Sequence, residues 1–355
     1  MTNIALPENI EKLKAYSSAK SEKLTGNTWL NANESPYTRL LEMRFDNLNR
    51  YPDPQPEAVI EGYARYAQVE QSNVLMTRGA DEGIELLVRT YCEPSKDSIA
   101  IFTPTYGMYK VTADTHNIAI NELSQEQLAN EDTDALLPAI GEAKLVFVCN
   151  PNNPTGALQP IRKVAALADK LKGRAIVVVD EAYIEFCEDK SCVELIKTFP
   201  NVVVLRTLSK AFALAGLRVG FMLASETLLA PIRKVIAPYP VSTVVAQIAA
   251  TALTSDALTQ MRRQVSILNL AKKKLIQWLQ NSEFVNAILC GEGNFVTLQL
   301  TDKQFVQQAM RQGLIMRPFV LFGEDNWLRI SIGNEQELKQ VETWLKQCQV
   351  TEEVS

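Results

Sequence analysis

The stretch 202-VVVLRTLSKAFALAGLRVGFML-223 begins and ends in apolar, strand-like runs and holds a single lysine, Lys210, between them. Its only other charges are Arg206 and Arg218. Further runs of the same kind precede it: SIAIF (98–102), LVFVC (145–149) and AIVVVD (175–180). Amphipathic segments such as DEGIELLVRTY (81–91) and IRKVAALADKLK (161–172) lie between them. Continuous apolar strands alternating with helices predict an α/β fold with a mostly parallel sheet covered on both faces. Ligands of such sheets sit beyond the carboxyl ends of the strands. A lysine in apolar company just past a strand end therefore needs a reason.

The 355 residues suffice for one large α/β domain and a smaller partner. With 46% hydrophobic and 22% charged residues and a net charge of −5, the chain lacks the basic footprint of a nucleic-acid or anionic-membrane binder. Its six cysteines show no CxxC pair and no framework spacing, as expected of reduced thiols in the cytoplasm. The opening MTNIALPENIEKLKAY is too charged for a signal peptide. Residues 235–255 carry no charge, but Pro238, Pro240 and Gln247 favour a buried helix after a proline-rich turn over a membrane span. One histidine, His116, excludes His-rich metal sites and disfavours a Ser–His–Asp triad, so no metal is expected.

From about residue 257 the pattern changes. Met261, Val265, Leu268, Leu275 and Leu279 follow helical spacing in a long charged segment, with Lys272 interrupting the seam. NFVTLQL (294–300), a helix near 303–312, WLRISIG (327–333) and a helix near 335–347 complete a small α+β unit, and TEEVS is expected to fray. The predicted organisation is an arm over 1–30 without a strong element, packing on the small domain or a partner subunit. A large domain over 31–250 and a small one over 251–355 follow.

Four features converge on one kind of ligand. Asp180 ends an apolar strand, where it either caps the next helix or pairs with a protonated heterocyclic nitrogen, and Tyr183 places a phenol nearby. The turn 150-NPNNPTG-156 presents amides at the sheet edge. Gly79 and Ala80 permit close backbone approach before the helix opened by Asp81, whose free N–H groups suit a phosphate, although acidic first turns also serve as plain caps. Thr207, Ser209 and Arg218 add phosphate-binding groups around Lys210, whose amine, unless it snorkels to water, is desolvated and can attack a carbonyl. Aldehyde, phosphate, pyridine nitrogen and phenolic oxygen are the four matching groups of pyridoxal 5'-phosphate.

The motifs LNANESP (30–36), NRYPDPQP (49–56), GADEGIELL (79–87), PTYGMY (104–109), NPNNPTG, VVVDEAYIEF (177–186), TLSKAFALAGLRVGF (207–221) and LRISIG (328–333) occur in this order. In them the chain resembles the histidinol-phosphate aminotransferases, within the class II pyridoxal-phosphate-dependent transferases of fold type I. The resemblance implies a cytoplasmic homodimer that interconverts histidinol phosphate plus 2-oxoglutarate with imidazole acetol phosphate plus glutamate in histidine biosynthesis. It assigns Lys210 to cofactor attachment and proton transfer, Asp180 to the ring nitrogen, and Tyr183 and Asn153 to the phenolic oxygen. Tyr106 stacks on the ring. Gly79, Ala80, Asp81, Thr207, Ser209 and Arg218 surround the phosphate, which Tyr51 reaches from the neighbouring subunit. Tyr16, Asn33, Arg317 and Arg329 hold substrate phosphate or carboxylate. A proline follows Arg317 here, and Ala80 stands where relatives often have serine. Rival readings on the same scaffold are an aromatic or other amino-acid aminotransferase and a phosphothreonine-type decarboxylase. A non-catalytic cofactor-binding regulator is the rival of another class.

Overall fold

In the computed structural model of the chain, which describes residues 4–13, 25–39, 42–46 and 48–352, the apolar runs lie side by side in one sheet. In chain order the strands are β1 (Thr28–Leu30), β2 (Val74–Thr77), β3 (Ser98–Thr103), β4 (Ala119–Ser124), β5 (Leu145–Cys149) and β6 (Ile176–Asp180). They continue with β7 (Val202–Thr207), β8 (Gly220–Ala224), β9 (Val285–Leu289), β10 (Phe295–Leu300), β11 (Leu314–Leu321) and β12 (Glu324–Ser331). Seven form the large sheet in the order β2-β8-β7-β6-β5-β3-β4.

Both faces of this sheet are buried. Val146, Val148, Val177, Val179, Val202 and Val204 belong to one core, while Phe147, Val178, Val203 and Leu205 belong to the other. Alternate residues point to opposite faces, so a strand covered on both sides has no position for a polar side chain until its end. Each fully buried valine or leucine contributes about 1.5–3 kcal/mol. The sheet is parallel from β4 to β7, whereas β8 pairs antiparallel with both β7 and β2. The described chain between β7 and β8 holds only a short 3₁₀ turn, Ala215–Leu217, and no crossover helix to carry it back across the sheet.

That reversal places the site. Cys149 is level with Asp180 and Asp180 with Leu205, while Gly220, the first residue of β8, stands opposite both Thr207 and Thr77. The ends of β2, β5, β6 and β7 and the start of β8 thus share one edge. β2 and β4 were not expected from sequence: β2 has four residues, and β4 is a partly exposed edge.

A second sheet, β1-β11-β12-β10-β9, builds the α+β unit. The arm, expected to lack a strong element, supplies β1 to its edge, parallel to β11, and a short helix, Glu8–Lys12. Asn9 Nδ2 of that helix donates to the Asp114 and Thr115 carbonyls (3.1 and 3.0 Å) at the end of the helix Met108–Thr115. The uncharged segment 235–255 forms the helix Thr243–Ala252 after its proline-rich turn. Among the described residues no helix is long and apolar enough to cross a membrane. The seam of the helix Ser255–Gln280 runs unbroken, with Lys272 buried in it. The closing helix extends to Glu352, and the last three residues of TEEVS lie outside the described residues.

Candidate active site

At the shared sheet edge lies a cavity of about 820 Å³. Its wall includes Ala80, Asp81, Tyr106, Asn153, Asp180, Tyr183, Thr207, Ser209, Lys210, Arg218, Arg317 and Arg329. Twelve residues singled out from sequence are thereby brought to one space.

Lys210 follows β7 by three residues, and its Nζ donates to the Ala32 carbonyl oxygen at 2.8 Å. Burial, helped by the Arg329 charge, pushes its pKa down to about 8. Asp180, 2% exposed, accepts from the Tyr109 hydroxyl at 2.7 Å and from the Ala182 N–H at 3.1 Å. Burial nonetheless pushes its carboxyl up to about 6. The Tyr183 hydroxyl takes amide donors from Asn33 (3.0 Å) and Asn153 (3.4 Å). Burial pushes this phenol up to about 12, against the pull of Arg329 and the Asn33 bond.

An anion cradle faces these groups. Gly79 caps the helix Ala80–Tyr91 without any side-chain bond, leaving first-turn N–H groups available at the cavity. Its φ of +84° suits glycine, and a Cβ there would stand 2.7 Å from Arg218 Nη2. Gly220 packs so closely that a Cβ on it would come within 2.4 Å of the Gly79 carbonyl carbon. Arg218 binds Ser209 Oγ (3.3 Å) and Asp81 Oδ2 (3.1 Å), and Thr207 Oγ1 donates to Ser209 Oγ (2.9 Å). Tyr106 donates to Asp81 Oδ1 at 3.0 Å.

Arg329 of β12 brings the second sheet to the cavity. It donates to Asn153 Oδ1 and, at 3.0 Å, to the Asn31 carbonyl. Arg317 pairs with it across the β11–β12 ladder, so both guanidinium groups issue from one place.

Four singled-out residues lie off this wall. Gly79 stands behind Ala80. Asn33 is fully buried between Tyr183 and Ser331 Oγ. Tyr51 is 82% exposed and stacks on Tyr239 with centroids 4.5 Å apart. Tyr16 lies outside the described residues. Of the amides that the NPNNPTG turn was expected to present at the sheet edge, only one reaches the cavity. Asn150 binds Gln159, Asn152 binds Pro104, Thr105 and Thr155, and only Asn153 lines the cavity. The first two satisfy the polar backbone of a buried turn.

Sequence reading missed Tyr109, which anchors Asp180, and Phe295, whose ring meets that of Tyr183 edge-on at 5.2 Å. The signal for Tyr109 was present in PTYGMY, where a second tyrosine follows Tyr106 by three residues. Phe295 inside NFVTLQL looks like any core aromatic.

Comparison with known proteins gives the family. The family Aminotransferase class I and II matches residues 16–343. The histidinol-phosphate aminotransferase of Aeromonas hydrophila is 46% identical over 334 residues, 94% of each chain. That of Serratia proteamaculans is 43% identical over 339 residues, covering 94% of this chain and 92% of its own. The crystal structure of the Sinorhizobium meliloti histidinol-phosphate aminotransferase, in complex with pyridoxal-5'-phosphate, superposes with a TM-score of 0.82 at 21% identity and 96% coverage of both chains. The chain belongs to the class I and II aminotransferases, and within them to the histidinol-phosphate aminotransferase family.

Proposed function

We propose that this chain transfers the amino group of histidinol phosphate to 2-oxoglutarate, giving imidazole acetol phosphate and glutamate in histidine biosynthesis, with pyridoxal 5'-phosphate as cofactor. The observation that carries the reading is the sharing of one cavity by Lys210, Asp180, Tyr183 and the helix start at Ala80 and Asp81. The names of relatives 42–46% identical over at least 94% of the chain support histidinol phosphate as the amino-group partner.

The residues fit the cofactor. A carboxyl as buried as Asp180 is stabilised as the anion only by a cation or donors, and a protonated ring nitrogen adds to what Tyr109 and Ala182 supply. A backbone crevice closed to any Cβ at Gly79 and Gly220, beside a helix N-terminus and Arg218, suits a phosphate. The cofactor, when bound, supplies an aldehyde for imine exchange and a ring that accepts the electron pair left on the substrate's α carbon.

The remaining steps fall to the chain. Lys210 would hold the cofactor through its Nζ, and the same amine, once released, would take the proton from the substrate's α carbon. Asp180 would keep the proton on the ring nitrogen, and Tyr183 and Asn153 would hold the ring oxygen. Tyr106 covers the ring. Ala80 and Asp81 through their N–H groups, and Thr207, Ser209 and Arg218 through side chains, hold the phosphate. Arg317 and Arg329 bind the substrate phosphate in one half-reaction and glutamate carboxylates in the other, since guanidinium forks match both. Tyr16 joins them, and Asn33 acts through the Tyr183 hydroxyl.

In this reading the chain is a homodimer, with exposed Tyr51 reaching the second copy's cofactor phosphate. Six unpaired cysteines support a cytoplasmic setting. The cofactor-binding part spans 31–250, and the small domain runs from 251 to 355 and takes β1 of the arm onto its sheet.

A donor survey tests the function: purified protein, cofactor and 2-oxoglutarate against histidinol phosphate, phenylalanine, tyrosine and aspartate. Glutamate formation with kcat/KM at least about 100-fold higher for histidinol phosphate is expected. Preference for phenylalanine, tyrosine or aspartate replaces the reading by the rival aminotransferase, and release of CO₂ in a parallel incubation with a phosphorylated amino acid replaces it by the decarboxylase.

A further inference from the structure

Lys272 lies in the buried seam of the helix Ser255–Gln280, 7% exposed and outside the cavity wall. A leucine or methionine fills such a seam without the desolvation cost of an ammonium, so the amine must be held for its bonds. Its Nζ donates to the carbonyl oxygens of Gly291 and Gly293, the latter at 2.9 Å, and stands 5.9 Å from the Phe295 ring centroid. Burial pushes its pKa down to about 8 against the opposing pull of Glu292, Cys187 and Cys290. Both carbonyls belong to the loop 290-CGEGNF-295 that leads into β10.

The other side of this loop rests on the NPNNPTG turn. A Cβ on Gly291 would stand 2.2 Å from the Gly156 carbonyl carbon, and the Glu292 N–H donates to the Gly156 carbonyl at 2.7 Å. Asn294 Nδ2 donates to the Asn33 carbonyl (3.0 Å), and Thr297 Oγ1 to the Pro154 carbonyl (2.5 Å). Phe295 meets Tyr183 edge-on and takes the Arg329 guanidinium 5.6 Å from its centroid. One loop therefore touches the turn bearing Asn153, the backbone of Asn33, and the ring between Tyr183 and Arg329.

We propose that Lys272 is a positioning residue for the transamination: by holding the Gly291 and Gly293 carbonyls it presses this loop onto Gly156 and sets Asn153, Tyr183 and Arg329 in register for cofactor and substrate. What those three residues hold rests on the function proposed above; the clamp itself does not.

The test uses the full chain with Lys272→Met, which fills the seam but donates nothing, and Lys272→Arg, which keeps N–H donors. Hydrogen–deuterium exchange without cofactor reads the clamp, with the Glu292 amide expected to exchange about tenfold faster in K272M. Titration of the bound cofactor's visible band reads the consequence, its pH midpoint moving by about half a unit as the ring-oxygen donors lose alignment. KM for histidinol phosphate is expected to rise about tenfold while kcat changes less than about threefold. K272R restores these readouts towards wild type. Unchanged exchange at Glu292 overturns the clamp whatever the chain acts on, even if wild type binds no cofactor. Faster exchange with an unmoved midpoint and KM overturns the positioning role. Should K272M fail to fold, Gly291→Ala lifts the loop from Gly156 with the lysine intact, and an unmoved midpoint and KM there overturn the proposal equally.

Discussion

Tyr109 reaches Asp180 with its hydroxyl across 2.7 Å, so the carboxylate at the end of β6 is fixed by a residue from the helix that follows β3, two strands away. The tyrosine itself is immobilised by stacking on Phe147, centroids 4.7 Å apart. Tyr109→Phe keeps the stack and removes the donor. Loss of a hydrogen bond to a charged group, about 1.5–3 kcal/mol, should weaken cofactor binding roughly 10- to 100-fold. An absorbance titration of the cofactor-free variant checks this; wild-type affinity would show that the bond does not support the ring-nitrogen contact.

On the function proposed above, attachment of the cofactor needs the neutral Lys210 amine. With its pKa pushed down to about 8, the reactive fraction rises with pH and levels off above that value, where an ordinary lysine would keep rising past 10. Stopped-flow recombination of cofactor with the cofactor-free chain should show a midpoint near 8. Lys210→Ala should lower turnover by at least about 10³-fold and leave no borohydride-trapped adduct at residue 210 by mass spectrometry.

Arg329→Lys retains the charge but loses the fork that spans Asn153 and the Asn31 carbonyl. kcat/KM for histidinol phosphate should fall about 100-fold, while cofactor affinity stays within about threefold. A comparable loss in cofactor affinity would move Arg329 from the substrate to the cofactor.

Behind the site, Glu185 is 3% exposed and neither of its side-chain oxygens has a hydrogen-bond partner among the described residues. Burial pushes its carboxyl up to about 8, against the pull of Arg206. A folded-state value above the unfolded one means that its contribution to stability is full in acid and is lost as pH rises from about 4.5 through 8. Glu185→Gln should therefore match wild type near pH 4.5 and exceed it at pH 9 by up to about 5 kcal/mol in urea unfolding. A difference independent of pH would contradict this.

The sheet and most of the cavity were legible in the sequence because strands buried on both faces admit no polar residue until they end. Asp180, Thr207 and Lys210 stand out against VVVD and VVVLRT for that reason. β2 and β4 were missed because four residues, or a half-exposed alternation, carry too little periodicity. The inward turn of Asn150 and Asn152 was illegible for another reason. An amide that satisfies its own buried turn and one offered to a ligand have the same composition, and only the partners tell them apart. Lys272 looked like a flaw in a seam, since nothing local announces the two distant glycine carbonyls that receive it.

The contact between Gly79 and Gly220 bears on how such a scaffold can diversify. A methyl group on Gly220 would run into the Gly79 backbone and one on Gly79 into the Arg218 guanidinium, so neither position tolerates a side chain, and a randomised library should return glycine at both. The hairpin of β11 and β12, with Val320 and Phe322 two-thirds exposed near its tip, meets no such interlock. New selectivity can be engineered there while the anion crevice is inherited unchanged.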